Sequence, residues 1–462
     1  MKTLMAIYRR SPPFAQAIAG SLYGYKLRWW RYGGDTDALA AAAVARERWS
    51  EAQWHEWQSS RLAAQLERAA TRVPYYREQW RRRREAGDDA AVTDLANWPV
   101  LRKEALRSDP SSFLADDVDP KSLFRLTTSG TSGTPIVTWR SRDTMRAWYA
   151  LMEARWRGWY GVTRHDRWAL VGGRLVVDVE RTRPPFWIWN AGLNQLYLSN
   201  LHITRENLPA YLDALRRYRI VHLYGYSSSL AELARHALDL GLEAPRMKVV
   251  VTNAEPLTPG QRAVIERAFG CPARESYGMS EAVTGASQCE HGALHLWPEA
   301  GVLEVVGDDD APLAAGDVGR LIATGLLNAA MPLIRYEVGD RGALAAEEAP
   351  CACGRSLPRL ARVEGRTNDS LVASDGRKVF YFQPVFFDLP IHEGQIVQET
   401  LGNVVVKVVP TSGFGERAEA ALKSRVRERL GQVDVEVRLV ERIERGPNGK
   451  FKAVMSLVRD QM

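Results

Sequence analysis

Between Ile220 and Phe269 the sequence alternates two kinds of run, and that alternation limits the folds open to the chain. Residues 220–224, Ile-Val-His-Leu-Tyr, read as a buried strand and 227–240 as the helix after it. Residues 248–252, Lys-Val-Val-Val-Thr, read as a second strand, and Pro259 to Phe269 as a second helix capped by Thr258. Strand, helix, strand, helix in this order calls for an α/β architecture with parallel pairing, because each helix carries the chain back to the start of the next strand. The flanks read differently. Residues 38–68 have helical spacing, and 1–120 form a largely helical lead-in. Residues 303–306 and 319–324 read as strands of an antiparallel sheet or small barrel. After Asp369, a strand at 404–409, a helix at 416–430 and a strand at 433–440 make a small α+β unit. The expected organisation is a large multi-layer N-terminal domain over 1–368, with parallel sheets and a small barrel-like sheet, and a mobile α+β C-terminal domain over 369–462.

Composition is consistent with this. A chain of 462 residues exceeds one compact core, and 45% hydrophobic with 25% charged residues is the balance of a soluble globular protein. The net charge of +7 is carried by arginine, as in Arg81-Arg82-Arg83-Arg84, which reads as a solvated helix face. A polyanionic partner such as a nucleotide or coenzyme A also suits the balance, whereas no zinc-finger spacing, RNP motif or helix-turn-helix pattern points to nucleic acid. No apolar run reaches the length of a membrane span, and the piece Leu4 to Tyr8 is too short for the core of a signal peptide. The segment Lys26-Leu27-Arg28-Trp29-Trp30-Arg31-Tyr32 is basic and aromatic, a composition that suits a membrane surface. Packing of those rings against the rest of the protein is the preferred reading. Cysteines stand only at 271, 289, 351 and 353, too few for a disulfide scaffold and in keeping with a reducing, cytoplasmic compartment.

Five segments carry chemistry. Residues 126–138 read L-T-T-S-G-T-S-G-T-P-I-V-T, gathering Thr128, Ser129, Thr131, Ser132 and Thr134 around Gly130 and Gly133. Hydroxyl donors and glycines that turn backbone N–H groups toward a ligand suit a loop that cradles phosphate oxygens. It is not a Walker A loop, because no Gly-Lys-Ser/Thr follows. The others are Glu275-Ser276-Tyr277-Gly278-Met279-Ser280-Glu281, Ile334-Arg335-Tyr336-Glu337-Val338-Gly339-Asp340, Val363-Glu364-Gly365-Arg366-Thr367-Asn368-Asp369 and Gly446-Pro447-Asn448-Gly449-Lys450-Phe451-Lys452. Each alone is an ordinary turn; their order and spacing are the signal.

In that order and spacing the chain resembles the adenylate-forming superfamily of acyl-CoA synthetases, adenylation domains and luciferases, and within it the phenylacetate–CoA ligase and CapK-like branch. Val73-Pro74-Tyr75-Tyr76-Arg77 and Trp98-Pro99-Val100-Leu101-Arg102-Lys103 resemble two early segments of that branch. The resemblance implies an ATP-dependent enzyme that joins a carboxylic acid, aromatic by the wealth of nearby tryptophans, to AMP and then passes the acyl group to coenzyme A. It implies that Thr128 to Thr134 wrap the β- and γ-phosphates of ATP, and that Ala254, Glu255 and Pro256 pack against adenine. On the same resemblance Tyr277, followed by Gly278, would stack near the adenine or the acyl carboxylate. Glu281 takes Mg²⁺, a hard cation suited to carboxylate oxygen beside phosphates, and Asp340 accepts both ribose hydroxyls. Arg366 approaches the ribose or phosphates, and Asp369 is the hinge between domains. The resemblance makes Lys450 the expected catalytic lysine, whose ammonium would bridge acyl carboxylate and α-phosphate. Lys452 is the alternative, since the ending Lys-x-Lys leaves the register open. One departure stands out: Thr134 and Pro135 follow Gly133 where most of the superfamily has a lysine soon after, so phosphate contacts there rest on hydroxyls and backbone.

Cys289, His295, Cys351 and Cys353 make a four-ligand set for structural zinc, with His291 as a substitute. The acceptor stays open among coenzyme A, a carrier protein, an amine and an alcohol, as does nucleotidyl transfer. A non-catalytic nucleotide-binding subunit is the reading from another class, and a homodimer is compatible with the sequence. Trp139, Trp148, Trp187, Trp189 and Tyr197 divide between a substrate pocket and core packing.

Overall fold

A computed structural model describes residue 8 and residues 11–127, 135–172, 176–346, 350–366, 370–379, 382–386, 388–446 and 449–458. It opens with helices α1 (Pro13–Arg31), α2 (Thr36–Arg46), α3 (Glu51–Arg72) and α4 (Pro74–Glu85). The single helical stretch expected over 38–68 is two helices. Ser50 breaks it by capping α3: its hydroxyl accepts the Gln53 N–H at 3.3 Å while the Gln53 side chain accepts the Ser50 N–H at 2.9 Å. On α4, Arg81 and Arg82 pair with Glu78 on the exposed face, as expected, but Arg83 is half-buried over the Trp80 ring at 4.4 Å.

Helix α5 (Lys103–Ser108) leads to the hairpin β1 (Phe124–Thr127) and β2 (Val137–Arg140), whose ends flank the Ser/Thr/Gly segment. Ser141 caps α6 (Arg142–Leu151), accepting the Thr144 N–H at 3.1 Å, and α6 runs into a π-helical turn, Met152–Arg157. Next come β3 (Trp168–Val171), β4 (Trp187–Asn190), β5 (Gln195–Leu198), α7 (Leu208–Arg217), β6 (His222–Tyr226), α8 (Ser227–Asp239), β7 (Val249–Asn253), α9 (Pro259–Phe269) and β8 (Ala273–Gly278). Strands β5, β3, β6, β7 and β8 pair in parallel, and α7, α8 and α9 bury their apolar faces on them. The alternation read from 220 to 269 holds here, including the capping box at Thr258.

The sheet changes character on β8. Its first half pairs in parallel with β7, and its second half, Ser276 to Gly278, pairs antiparallel with β9 (Gly285–Gln288). Beyond lie β10 (Leu294–Leu296), β11 (Gly301–Val306), β12 (Gly319–Gly325), β13 (Tyr336–Leu344) and β14 (Arg359–Arg366), all antiparallel. The Tyr277-Gly278 motif therefore stands at the seam between parallel and antiparallel sheet. After the short pair β15 (Leu371–Val372) and β16 (Lys378–Val379), the chain forms β17 (Ile391–Thr400), β18 (Asn403–Pro410), α10 (Glu416–Leu430), β19 (Asp434–Leu439) and β20 (Val454–Ser456). Its core, with Leu422 and Val426 of α10 packed on Ile396, Val404 and Val406, is separate from those of the larger body.

Candidate active site

Between the two bodies lies a cleft of about 2330 Å³. Its walls bring together Ala254, Glu255, Pro256, Tyr277, Gly278, Glu281, Asp340, Lys450 and Lys452, residues separated by up to about two hundred positions in sequence. Thr127 and Ile136, on either side of the Ser/Thr/Gly segment, open onto the same space. Thr128, Ser129, Gly130, Thr131, Ser132, Gly133 and Thr134 lie outside the described residues, as does Asp369. The backbone of Arg366 pairs with that of Asp340 across β14 and β13.

Each residue is held by the element that carries it. Strand β7 ends at Asn253, and Ala254 takes a left-handed φ of 61°, a sharp turn that aims Glu255 at the start of α8. The Glu255 carboxylate accepts the Ser228 N–H at 3.0 Å and the Ser227 hydroxyl at 3.3 Å, and the helix N-terminus favours negative charge there. Its second oxygen accepts the Phe451 N–H at 2.7 Å, from the smaller body. Burial pushes the Glu255 carboxyl up, while the Ser228 and Phe451 donors oppose that shift. The turn before Phe451 is docked too. Gly449 has φ of 71°, its carbonyl accepts Asn200 Nδ2 at 3.0 Å, and a Cβ there would strike the Asn200 side chain. Lys450 is thereby carried into the cleft with its ammonium 5.8 Å from the centre of the Tyr226 ring. Lys452 is exposed, and its carbonyl accepts Gln395 Nε2 at 2.7 Å within the smaller body.

Across the cleft, the Tyr277 hydroxyl donates to Asp340 Oδ2 at 2.9 Å, and the Tyr336 hydroxyl donates to Glu281 Oε1 at 2.8 Å. Glu281 is buried next to Arg140, whose guanidinium donates to the Ser280 carbonyl. Burial pushes Arg140 down to about 10, against the pull of Tyr149 and Glu281. Glu275 is pushed up to about 7 by burial, opposed by a backbone bond from Leu257 and by Arg262. Two lining residues were absent from the sequence-based set. Lys103 donates to the Val338 carbonyl at 2.6 Å and sits so close to Gly339 (φ 78°) that a Cβ there would clash with Nζ. The Pro99-x-x-x-Lys103 spacing was its only sequence signal. Arg445 pairs with Glu393 at 2.6 Å and with Glu232 of α8 at 3.5 Å, joining the two bodies beneath Phe451.

Part of the cleft wall is aromatic. Trp148, Met152 and Trp156 follow one another along α6 and its π-turn, joined by Trp168, Tyr224 and Trp297. Of the five rings weighed from sequence, Trp148 and Tyr197 line the cleft, whereas Trp187 and Trp189 pack on the parallel-sheet core and Trp139 on the barrel-side core.

A second constellation lies outside the cleft. Ligand atoms of Cys289, His295, Cys351 and Cys353 all fall within 4.8 Å of one another. Cys289 and Cys351 sulfurs are 3.8 Å apart, and Cys353 Sγ is 3.3 Å from His295 Nε2. A tetrahedral ion with Zn–S of ~2.3 Å and Zn–N of ~2.0 Å would set such edges at roughly 3.5–3.8 Å. His295 Nδ1 lies 3.1 Å from the Leu357 carbonyl, which fixes the ring with Nε2 toward the sulfurs. His291 is not in the group.

Residues 51–330, more than half of the chain, match the AMP-binding enzyme family, and residues 371–456 match the CapK C-terminal domain. Protein CapK of Staphylococcus aureus is 26% identical over 392 residues, 83% of this chain and 85% of that protein. Phenylacetate-coenzyme A ligase of Thermus thermophilus is 28% identical over 333 residues, 68% of this chain and 71% of its own. Among solved structures, 2-hydroxyisobutyryl-CoA ligase in a postadenylation state superposes with a TM-score of 0.67 at 20% identity, covering 89% of this chain and 91% of that one. The same ligase in its thioesterification state gives 0.53 with equal coverage. With the domain matches spanning both bodies and the cleft between them, the chain belongs to the AMP-binding enzyme family, in the adenylate-forming branch that holds CapK and the phenylacetate–CoA ligases.

Proposed function

We propose that this enzyme activates a carboxylic acid with ATP and transfers the acyl group to coenzyme A, and that the observation carrying this reading is the Lys450 ammonium held over the cleft by the Glu255–Phe451 bond. A carboxylate oxygen of the acid attacks the α-phosphorus, the bond to pyrophosphate breaks, and acyl-AMP forms. Lys450 stabilises charge that builds on the α-phosphate oxygens in the transition state. Asp340, oriented by Tyr277, accepts the ribose hydroxyls, and the turn at Ala254 and Pro256 packs against adenine. Lys103, beside Asp340, is a further cation toward the nucleotide. Glu281, hydrogen-bonded by Tyr336, would hold Mg²⁺, which when bound with ATP neutralises phosphate charge. Thr128 to Thr134 receive the β- and γ-phosphates, and Arg366 the ribose or phosphate side.

The second half-reaction needs Lys450 withdrawn, so we assign residues 369–462 as a body that rotates about Asp369. The higher likeness to the postadenylation arrangement supports reading the present arrangement as the adenylating one. The thiolate of coenzyme A then attacks the acyl carbon and AMP leaves. The wall of Trp148, Trp156, Trp168 and Tyr224 favours an aromatic acid. Zinc at Cys289, His295, Cys351 and Cys353 would join the loop after β9 to the loop before β14 and has no part in the chemistry. Cys271, Cys289, Cys351 and Cys353 form no disulfide, which suits a reducing compartment. The test is pyrophosphate release across a panel of aryl, arylalkyl and aliphatic acids, with and without coenzyme A. A thioester product with an aromatic acid is expected. Acid-dependent pyrophosphate release that yields no thioester would transfer the acceptor role to an amine, alcohol or carrier protein.

A further inference from the structure

Helix α1 is turned inside out relative to an ordinary surface helix. Phe14, Ile18, Leu22, Tyr25 and Trp29 are 69, 57, 67, 54 and 54% exposed. At 100° per residue they fall within a stripe about 80° wide. A stripe of five large apolar side chains is far more than the scattered exposure of a normal surface. Lys26 and Arg28, both exposed, stand about 80° to either side of the stripe centre. The helix carries no acidic residue. Arg142 adds a third cation at the far end, with its guanidinium 4.1 Å from the Trp29 ring centre.

The inner face explains why the stripe stays outside. Gly20 meets Ile188, Gly24 lies against Asn190, and Leu27 is buried. The turn after β4 comes so close that a Cβ on Gly192 would lie 2.3 Å from the Tyr25 nitrogen. That packing fixes the helix on the body and leaves it no rotation that would bury the stripe.

We propose that this face of α1 docks the enzyme on an anionic lipid bilayer, lying in the plane of the interface. The apolar stripe enters the acyl boundary, the tyrosine and tryptophan sit at headgroup level, and the flanking cations meet lipid phosphates. Charge complementarity selects a membrane over a second copy, since an identical helix carries no acidic residue to pair with Lys26 and Arg28, whereas an anionic surface supplies the opposite charge. Gly20, Tyr23 and Leu27 line the catalytic cleft from the inner side of the same helix, so docking places the cleft within about 10 Å of the lipid surface. The basic and aromatic segment at 26–32, whose preferred reading was packing, is thus split. Leu27 packs inward, Trp30 is partly covered against Phe124, and Trp29 faces out.

The test is flotation of the full chain with vesicles of phosphatidylcholine alone and of phosphatidylcholine mixed with phosphatidylglycerol. Binding to the mixed vesicles that weakens with salt is expected. Ile18→Glu plus Leu22→Glu should abolish it, and Lys26→Glu plus Arg28→Glu should lower it by roughly 20-fold or more. Both pairs are exposed, and circular dichroism melts matching the parent confirm that they fold. No binding by the parent to mixed vesicles, or equal binding by all variants, overturns the proposal. A parent that is dimeric by light scattering, ignores vesicles and becomes monomeric in the Ile18→Glu plus Leu22→Glu variant would assign the stripe to a second copy instead.

Discussion

The carboxylate of Glu255 and the backbone of Phe451 meet at 2.7 Å across the boundary between the two bodies. A residue at the end of a parallel strand thus positions the neighbour of Lys450. Glu255→Ala is expected to reduce acid-dependent ATP–pyrophosphate exchange roughly 10- to 100-fold, the weight of about 1.5–3 kcal/mol for hydrogen bonds to a charged group. Thiolysis of supplied acyl-AMP should change little if, as proposed, that step uses the other arrangement. Equal loss in both assays would make Glu255 a nucleotide contact rather than a clasp.

Lys450→Ala should lower the same exchange by about 100- to 1000-fold, the scale of losing one fixed charge at a transition state. Lys452→Ala should stay near the parent, given its exposed position within the smaller body. Exchange kinetics on the two variants read the register directly. The opposite pattern assigns the role to Lys452, and survival of both removes the lysine from the mechanism.

Purified, reduced protein is expected to hold close to one zinc per chain by elemental analysis, bound through Cys289, His295, Cys351 and Cys353. Chelation should lower the thermal midpoint before it lowers turnover, because the closed set joins two loops of the barrel side. Zinc retained after Cys351→Ser plus Cys353→Ser would show that other residues hold it.

Glu275 makes stability depend on pH. Its folded pKa of about 7 lies above the ordinary value of 4.5, so the folded state binds the proton more tightly than the unfolded one. Its carboxyl is neutral and harmless below the unfolded value, and stability falls as pH rises from there through about 7. Glu275→Gln keeps an acceptor for the Leu257 N–H and removes the charge. It should therefore stabilise the protein by roughly 2–3 kcal/mol at pH 8 and by little near pH 4.5. Denaturant melts at both pH values measure the difference, and a gain that is equal at both would place its cause in packing.

What could be read from sequence was whatever is local. The alternation from 220 to 269, the cap at Thr258 and the α+β unit around α10 follow from patterns a few residues long, and each is present. The cysteine–histidine set was legible because its two halves carry recognisable spacing, and the fold brings together the preferred His295 rather than the substitute His291. The Glu255–Phe451 clasp and the Arg445 ion pairs were not legible, since each joins segments about 50 to 210 residues apart with no pattern of its own, and the Pro99-x-x-x-Lys103 spacing marked Lys103 without showing that it reaches Val338. Helix α1 was legible in part: Leu27 and Trp30 pack as expected, and Trp29 does not. Aromatic residues are usually buried, and only the glycine-lined contact with β4 reveals which of its faces is taken.

The shared strand β8 also works as a ruler. Its upstream end is pinned by parallel pairing of Val250 with Ala273, and its downstream end by antiparallel pairing of Tyr277 with Ala286. Side chains on a strand alternate faces with a period of two. Deleting Arg274, which lies between those two anchors and does not line the cleft, would swing Tyr277 to the opposite face and carry its hydroxyl away from Asp340, while leaving every amino acid of the cleft in the sequence. The count of residues along β8 is therefore as much a part of the active site as the residues themselves.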